Sequence, residues 1–136
     1  MHLLDTNTVS ALMRGHPRVL ERLRQLSRAN VAIPQPVLAE IAYGLSRLPR
    51  SRKRSDLEHR AAIIRTEIQR AEWNDAVSES FGTIKAALER TGKRIEDFDA
   101  AIAAHALAVG GTLVTANVEQ MSRVSGLAVE DWTAER

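Results

Sequence analysis

Short apolar runs alternate along the chain with longer stretches of helical period, the pattern of strands and helices taken in turn. Leu3 and Leu4 form an apolar pair that ends on Asp5, and residues 8–14 (TVSALMR) read as a short helix stopped at Gly15. Pro17 suits the first turn of a second helix over 17–28, with Val19, Leu20, Leu23 and Leu26 at helical spacing. VAIP, residues 31–34, reads as a buried strand. Residues 37–48 set Val37, Leu38, Ile41, Leu45 and Leu48 on one face of a third helix, and a long polar helix is expected from about 51 to 69. AEWND (71–75) is expected as a short strand, followed by a helix over 76–92 that Gly92 ends. The Ala-rich run 99–111 predicts a compact helix that starts on acids, stops at Gly110 and Gly111, and packs closely on a sheet. TLVTAN (112–117) gives the clearest strand and LAVEDW (127–132) the last. With no repeat and no linker, the expectation is one α/β domain spanning 1–136.

Composition narrows the chemistry. Aromatics are only 4% of the chain, so Ala, Leu, Val and Ile must fill the core. There is no cysteine, which removes disulfides, thiolate metal sites and a cysteine nucleophile. No apolar stretch reaches membrane-spanning length, and a cytoplasmic protein without membrane contact is expected. The net charge is +2 and the pI about 9.5, which permits a polyanionic partner. Positive charge concentrates at Arg47, Arg50, Arg52, Lys53 and Arg54 around Pro49, either a solvated connection between helices or a patch contacting phosphates.

In open α/β sheets, sites form beyond the carboxyl ends of the strands. Asp5 stands at one such end and Asn117 at another; Asp97 and Asp99 open the Ala-rich helix, and Glu40 borders the apolar face of the third helix. Singly these have ordinary roles, Asp5 and Asp97 as helix caps and Asp99 as a first-turn charge. His105, among alanines, reads as a packed histidine. Gathered in one pocket, however, the carboxylates repel one another, and a hard divalent cation relieves that repulsion. Magnesium or manganese held by a few carboxylates leaves positions for phosphate oxygens, which is the chemistry of a phosphodiesterase.

The chain resembles the PIN-domain ribonucleases, specifically the VapC toxins of bacterial toxin-antitoxin pairs, in LLDTNTVSALMRG (3–15), IPQPVLAEIAYGLSR (33–47) and GKRIEDFDAAIAAHALAVGGTLVTANVEQMSRVSGLAVEDW (92–132). The resemblance implies the PIN fold, a Rossmann-like three-layer α/β arrangement with a short, central, mainly parallel sheet flanked by helices. It implies a toxin that is a magnesium-dependent endoribonuclease, with manganese able to substitute. Asp5, Glu40 and Asp99 match the catalytic and metal-binding acids. Asn117 falls where many members carry a fourth acid, Asp97 can share or exchange the role of Asp99, and Asn7 and Thr115 match supporting positions.

The implied partners are RNA, with a tRNA loop and initiator tRNA favoured, and a VapB-like antitoxin. The implied assembly is a homodimer that enlarges with the antitoxin and meets operator DNA only through it. The apolar faces of residues 8–13 and 37–45 are candidates to receive an antitoxin tail. Alternatives are a PIN nuclease that processes RNA without an antitoxin, and a non-catalytic PIN domain that only binds RNA or protein. A haloacid-dehalogenase-type phosphatase, whose start DTNTV nearly matches, is disfavoured because Asn7 cannot act as the general acid that family places there.

Overall fold

The computed structural model describes residues 1–135. Five parallel strands form one sheet in the order β3-β2-β1-β4-β5: β1 (His2–Leu4), β2 (Val31–Pro34), β3 (Gln69–Ala71), β4 (Thr112–Val114) and β5 (Ala128–Glu130). The helices are α1 (Thr6–Met13), α2 (Pro17–Arg24), α3 (Gln35–Arg47), α4 (Arg52–Glu67), α5 (Asp75–Arg90), α6 (Asp97–Ala108) and α7 (Val118–Met121), with one 3-10 turn at Arg28–Asn30. Strand order advances one way from β1 to β3 and reverses to reach β4. Right-handed crossovers therefore set α1–α4 on one face and α5–α6 on the other, completing three layers.

Central strands of a parallel sheet are covered on both faces and need continuous apolar runs. Leu3, Leu4, Val31, Ala32, Ile33, Leu113 and Val114 supply them, all buried. α6 lies against this centre and is buried nearly all round, from Ala100 to Ala106, because alanine lets helix and sheet approach closely. Gly110, at φ +66°, ends α6 in the left-handed region, and at Gly111 a Cβ would stand 2.7 Å from the Met1 carbonyl oxygen. Both glycines are therefore fixed by the join between α6 and the central strands. Among the described residues, no helix is long and apolar enough to cross a membrane.

Several expected boundaries move. The strand expected at 71–75 is Gln69–Ala71, and Trp73 and Asn74 lie beyond it; Asn74 caps α5 through its side chain, accepting from the Val77 N–H at 3.0 Å. The second helix ends at Arg24 rather than 28. β4 stops at Val114, since Thr115 and Asn117 turn into loop contacts. Asp97 is the first helical residue of α6 and not its cap; Glu96 holds that position, without a side-chain cap bond. The apolar face of α1 is used up in the core, with Leu12 only 7% exposed, so it offers no surface to an antitoxin tail.

Candidate active site

β1 is the strand at which the sheet order reverses, and the crevice beyond its carboxyl end is where such folds place ligands. Asp5 follows β1 directly. It is 2% exposed and caps α1, its Oδ1 accepting from the Thr6 N–H at 2.7 Å and its Oδ2 from the Asn7 side-chain amide at 3.4 Å. Burial raises the Asp5 carboxyl above the ordinary aspartate range, against hydrogen bonding to Thr115, Thr6 and Asn7. The expectation that Asp5 is a helix cap is met, and capping leaves it at the mouth of the crevice.

Glu40 projects from the second turn of α3, and the Thr6 hydroxyl donates to its Oε1 at 2.6 Å. The first residue of α1 thus holds both acids, Asp5 through its backbone and Glu40 through its side chain. Asp99 enters from the first turn of α6, and the Gln120 amide of α7 donates to its Oδ2 at 3.2 Å. Its carboxyl is pushed up to about 6, first by burial, then by the negative charges of Asp5 and Glu40, while the Gln120 bond pulls the other way. Asp99, entering from α6, therefore feels the charges of Asp5 at the end of β1 and Glu40 on α3 across the crevice.

Asn7 and Thr115 brace this arrangement. The Asn7 amide donates to the Thr115 hydroxyl oxygen at 3.2 Å, its Oδ1 accepts from the Ala116 N–H at 2.9 Å, and the Thr115 oxygen also accepts from the Asn117 N–H at 3.0 Å. Thr8 ties α1 to β4 by donating to the Val114 carbonyl at 2.9 Å. The Asn117 side chain donates to Gln120 Oε1, so Asn117 reaches Asp99 through Gln120.

Asp97 behaves differently from Asp99. It is exposed and pairs with Lys85 at 3.0 Å on α5. The basic run lies at the far end of α3, where Arg47 is about 10 Å, or two helical turns, beyond Glu40. Arg47 there stacks over Tyr43 at 5.5 Å, Arg54 pairs with Glu58 at 3.4 Å and donates to the Leu48 carbonyl, and Arg50, Arg52 and Lys53 are exposed. The structure does not bring this run to the acids. His105 is buried under the Trp73 ring, 6.3 Å away edge-on, and burial holds its pKa below the ordinary value.

Two contacts of the site are absent from the expected set: the Thr6 hydroxyl on Glu40 and the Gln120 amide on Asp99. Their partners are 34 and 21 residues distant in sequence, so only the assembled fold pairs them. Among the described residues, no group of three or more His, Asp or Glu side chains is drawn tightly enough to hold an ion as it stands. The Thr6 hydroxyl and the Gln120 amide take up acceptor capacity that a cation would otherwise use. The donor set nevertheless fits a hard divalent ion: three carboxylates, all oxygen, whose mutual repulsion is expressed at Asp99.

The PIN domain model matches residues 2–127, a span that contains every acid of the site. The chain is 31% identical to Ribonuclease VapC2 of Rickettsia felis, over 97% of this chain and 98% of that protein. The chain belongs to the VapC ribonucleases of the PIN-domain family. Another VapC relative, the tRNA(fMet)-specific endonuclease VapC of Shigella flexneri, is 30% identical over 96% of this chain and 97% of its own. The VapC fold itself superposes on a chain in the crystal structure of VapBC2 from Rickettsia felis bound to a promoter DNA fragment. The TM-score is 0.86 at 30% identity, covering 96% of this chain and 98% of that one.

Proposed function

We propose that this protein is the toxin of a toxin-antitoxin pair and cuts RNA phosphodiester bonds in a reaction that depends on magnesium, or on manganese in its place. The observation that carries the reading is the coupling of Asp99 to Asp5 and Glu40, three carboxylates arranged so that negative charge accumulates without an internal counter-charge. Asp5, Glu40 and Asp99 would hold the ion. A divalent cation held there would supply a water of lowered pKa and offset negative charge developing on a phosphate.

The chain's own residues orient the acids for that task. The Thr6 N–H fixes Asp5, the Thr6 hydroxyl fixes Glu40, and Gln120 fixes Asp99. Asn117 is neutral, which leaves a second ion position weaker than the first. Asp97, engaged by Lys85, is the reserve acid rather than the principal one.

The substrate favoured is a tRNA loop, initiator tRNA first, in line with the name of the Shigella flexneri relative. A VapB-like antitoxin is the proposed partner, in line with the VapBC2 complex. The protein works in the cytoplasm, as a homodimer that enlarges with the antitoxin. Arg50, Arg52 and Lys53 are proposed to contact phosphates remote from the cut.

Purified protein is expected to cut tRNA with magnesium or manganese and to stop on exhaustive chelation; cleavage that survives chelation overturns the mechanism. Asp5→Asn, Glu40→Gln and Asp99→Asn should each abolish cutting in a folded protein. Mapping cut ends in cells after induction tests the substrate, and cuts confined to ribosomal RNA would displace tRNA.

A further inference from the structure

Beyond Asp99, on the side of α7, the crevice continues into a polar pocket of about 450 Å³ walled by Arg94, Ile95, Glu96, Asp97 and Gln120. Gln120 belongs to both: it lines this pocket and donates to Asp99 Oδ2 at 3.2 Å. The two also share charge, because Glu96 in the pocket wall adds to the negative charge felt at Asp99. α7 follows β4, so the pocket extends the acid site away from β3 and α5.

Its cations are not spent on acids. Arg94 and Lys93 are exposed on the loop before α6, and Arg123, just past α7, donates from Nη1 to the Arg94 carbonyl at 3.1 Å. Among the described residues none of the three has an ion-pair partner; Asp97 is taken by Lys85, and Glu96 is the carboxylate left in the pocket wall. Arg123 therefore braces the loop through its backbone while the Arg94 guanidinium stays available. The basic run after α3 differs on each point: Arg47 stacks on Tyr43, Arg54 pairs with Glu58, and the run lies two helical turns from Glu40.

A nucleic acid carries a phosphate at every residue. A strand whose scissile phosphate sits at the acids lays its next phosphates along the adjoining pocket. We propose that Arg94, braced by Arg123, is a phosphate subsite that holds the RNA backbone on one side of the cut, in the pocket that Gln120 joins to the acids. The inference rests on the ribonuclease reading above and adds where the strand leaves the acids. A guanidinium offers paired N–H donors to two phosphate oxygens, and Lys93 beside it strengthens the field. Phosphates are common to every sequence, so the subsite supplies affinity and register without selecting bases.

The test measures binding of a labelled, short single-stranded oligoribonucleotide to the full chain carrying Asp99→Asn, in chelator, where RNA is not cut. For a single strand each neutralised phosphate adds about 0.7 to the slope of log affinity against log salt, so at about 0.1 M salt one lost contact costs about fivefold. Arg94→Gln, which keeps the carbonyl that Arg123 uses, should show that loss and that change of slope at an unaltered melting temperature. Arg94→Lys should restore the slope. Neutral methylphosphonate linkages placed one at a time along the oligonucleotide should identify one linkage, to one side of the cut, whose loss weakens the Arg94 protein about fivefold and Arg94→Gln no further. In cutting with magnesium, Arg94→Gln should raise KM about fivefold and leave kcat unchanged. Arg24→Gln, an exposed change on α2, is the control and should alter neither binding nor cutting.

The proposal is overturned if Arg94→Gln leaves affinity and slope intact, if Arg94→Lys does not restore the slope, or if every linkage adds independently to Arg94→Gln. An Arg94→Gln effect confined to antitoxin binding likewise overturns it and makes the pocket a protein surface. Its failure is separable from that of the ribonuclease reading: wild type that cuts no RNA with magnesium defeats that reading, while wild type and Arg94→Gln cutting with equal KM defeat the phosphate subsite alone.

Discussion

Replacing Asp99 by Asn should make the metal-free protein more stable while making it inactive. The carboxyl of Asp99 stands at about 6, against about 4 for an ordinary aspartate, and the difference corresponds to at most about 3 kcal/mol of destabilisation when the group is ionised. Solvent screening at a half-buried site reduces this to roughly 1.5 kcal/mol. Asp99 also sits in the first turn of α6, where losing a negative charge costs about 0.5 kcal/mol. The Gln120 bond survives on the asparagine oxygen, and its extra strength to a carboxylate is already contained in the net shift. A net gain of about 1 kcal/mol follows, or about 4 °C in melting temperature for a chain of this size.

The pH dependence fixes the sign. An acid with a raised folded pKa is protonated first in the folded state, so wild type carries the full penalty above about 6 and sheds it as pH falls toward about 4. The advantage of Asp99→Asn should therefore be complete at pH 7.5 and disappear by pH 4. Thermal melts of both proteins in chelator across this range provide the assay. If the variant melts at or below wild type at pH 7.5, or if its advantage does not change with pH, burial and the neighbouring acids do not destabilise the Asp99 carboxylate as described.

Other consequences can be checked by the same means. Thr6→Val removes the hydroxyl from Glu40 but keeps the N–H to Asp5; cleavage or metal affinity, measured by magnesium titration, should fall about 10- to 100-fold while the melting temperature changes little. Gly111→Ala drives a Cβ against the Met1 carbonyl and should cost about 1–3 kcal/mol in urea unfolding, unlike a change at Gly44, where a Cβ meets nothing within 4 Å. Glu130 is raised by burial, but hydrogen bonds from Trp132 and His2 and the charges of His2 and Arg22 outweigh this and hold it below the ordinary glutamate value. Its stabilisation should be complete above the ordinary value and lost as pH falls through the depressed one. Glu130→Gln should flatten acid unfolding followed by circular dichroism.

What the sequence could show followed from burial and locality. β1, β2 and β4 were readable because strands covered on both faces are continuously apolar, whereas β3, Gln-Arg-Ala at the sheet edge, carries no such run and was displaced onto the apolar Trp73. Asp5 was readable because strand end and helix start meet in one residue. Asp97 and Asp99 could not be ranked from their spacing, since both open the same helix. Two residues turn the chain about 200°, and that rotation sends one to Lys85 and the other to the crevice. The Thr6 bond to Glu40 and the Gln120 bond to Asp99 join partners brought close only by folding, and no local pattern reports those pairings.

The supports around the acids, Thr6, Asn7, Thr115 and Gln120, are all uncharged, and among the described residues no ion pair involves Asp5, Glu40 or Asp99. A chain of net charge +2 therefore gathers three carboxylates, with no ion-pair partner among the described residues, at the crevice where the proposed function would seat a polyanion. On the proposed function, an RNA phosphate approaching the crevice would meet repulsion from these carboxylates until a positive charge fills it. Whatever supplies that charge decides the outcome of the encounter: a small ion leaves room for a phosphate, and a basic side chain from another protein does not.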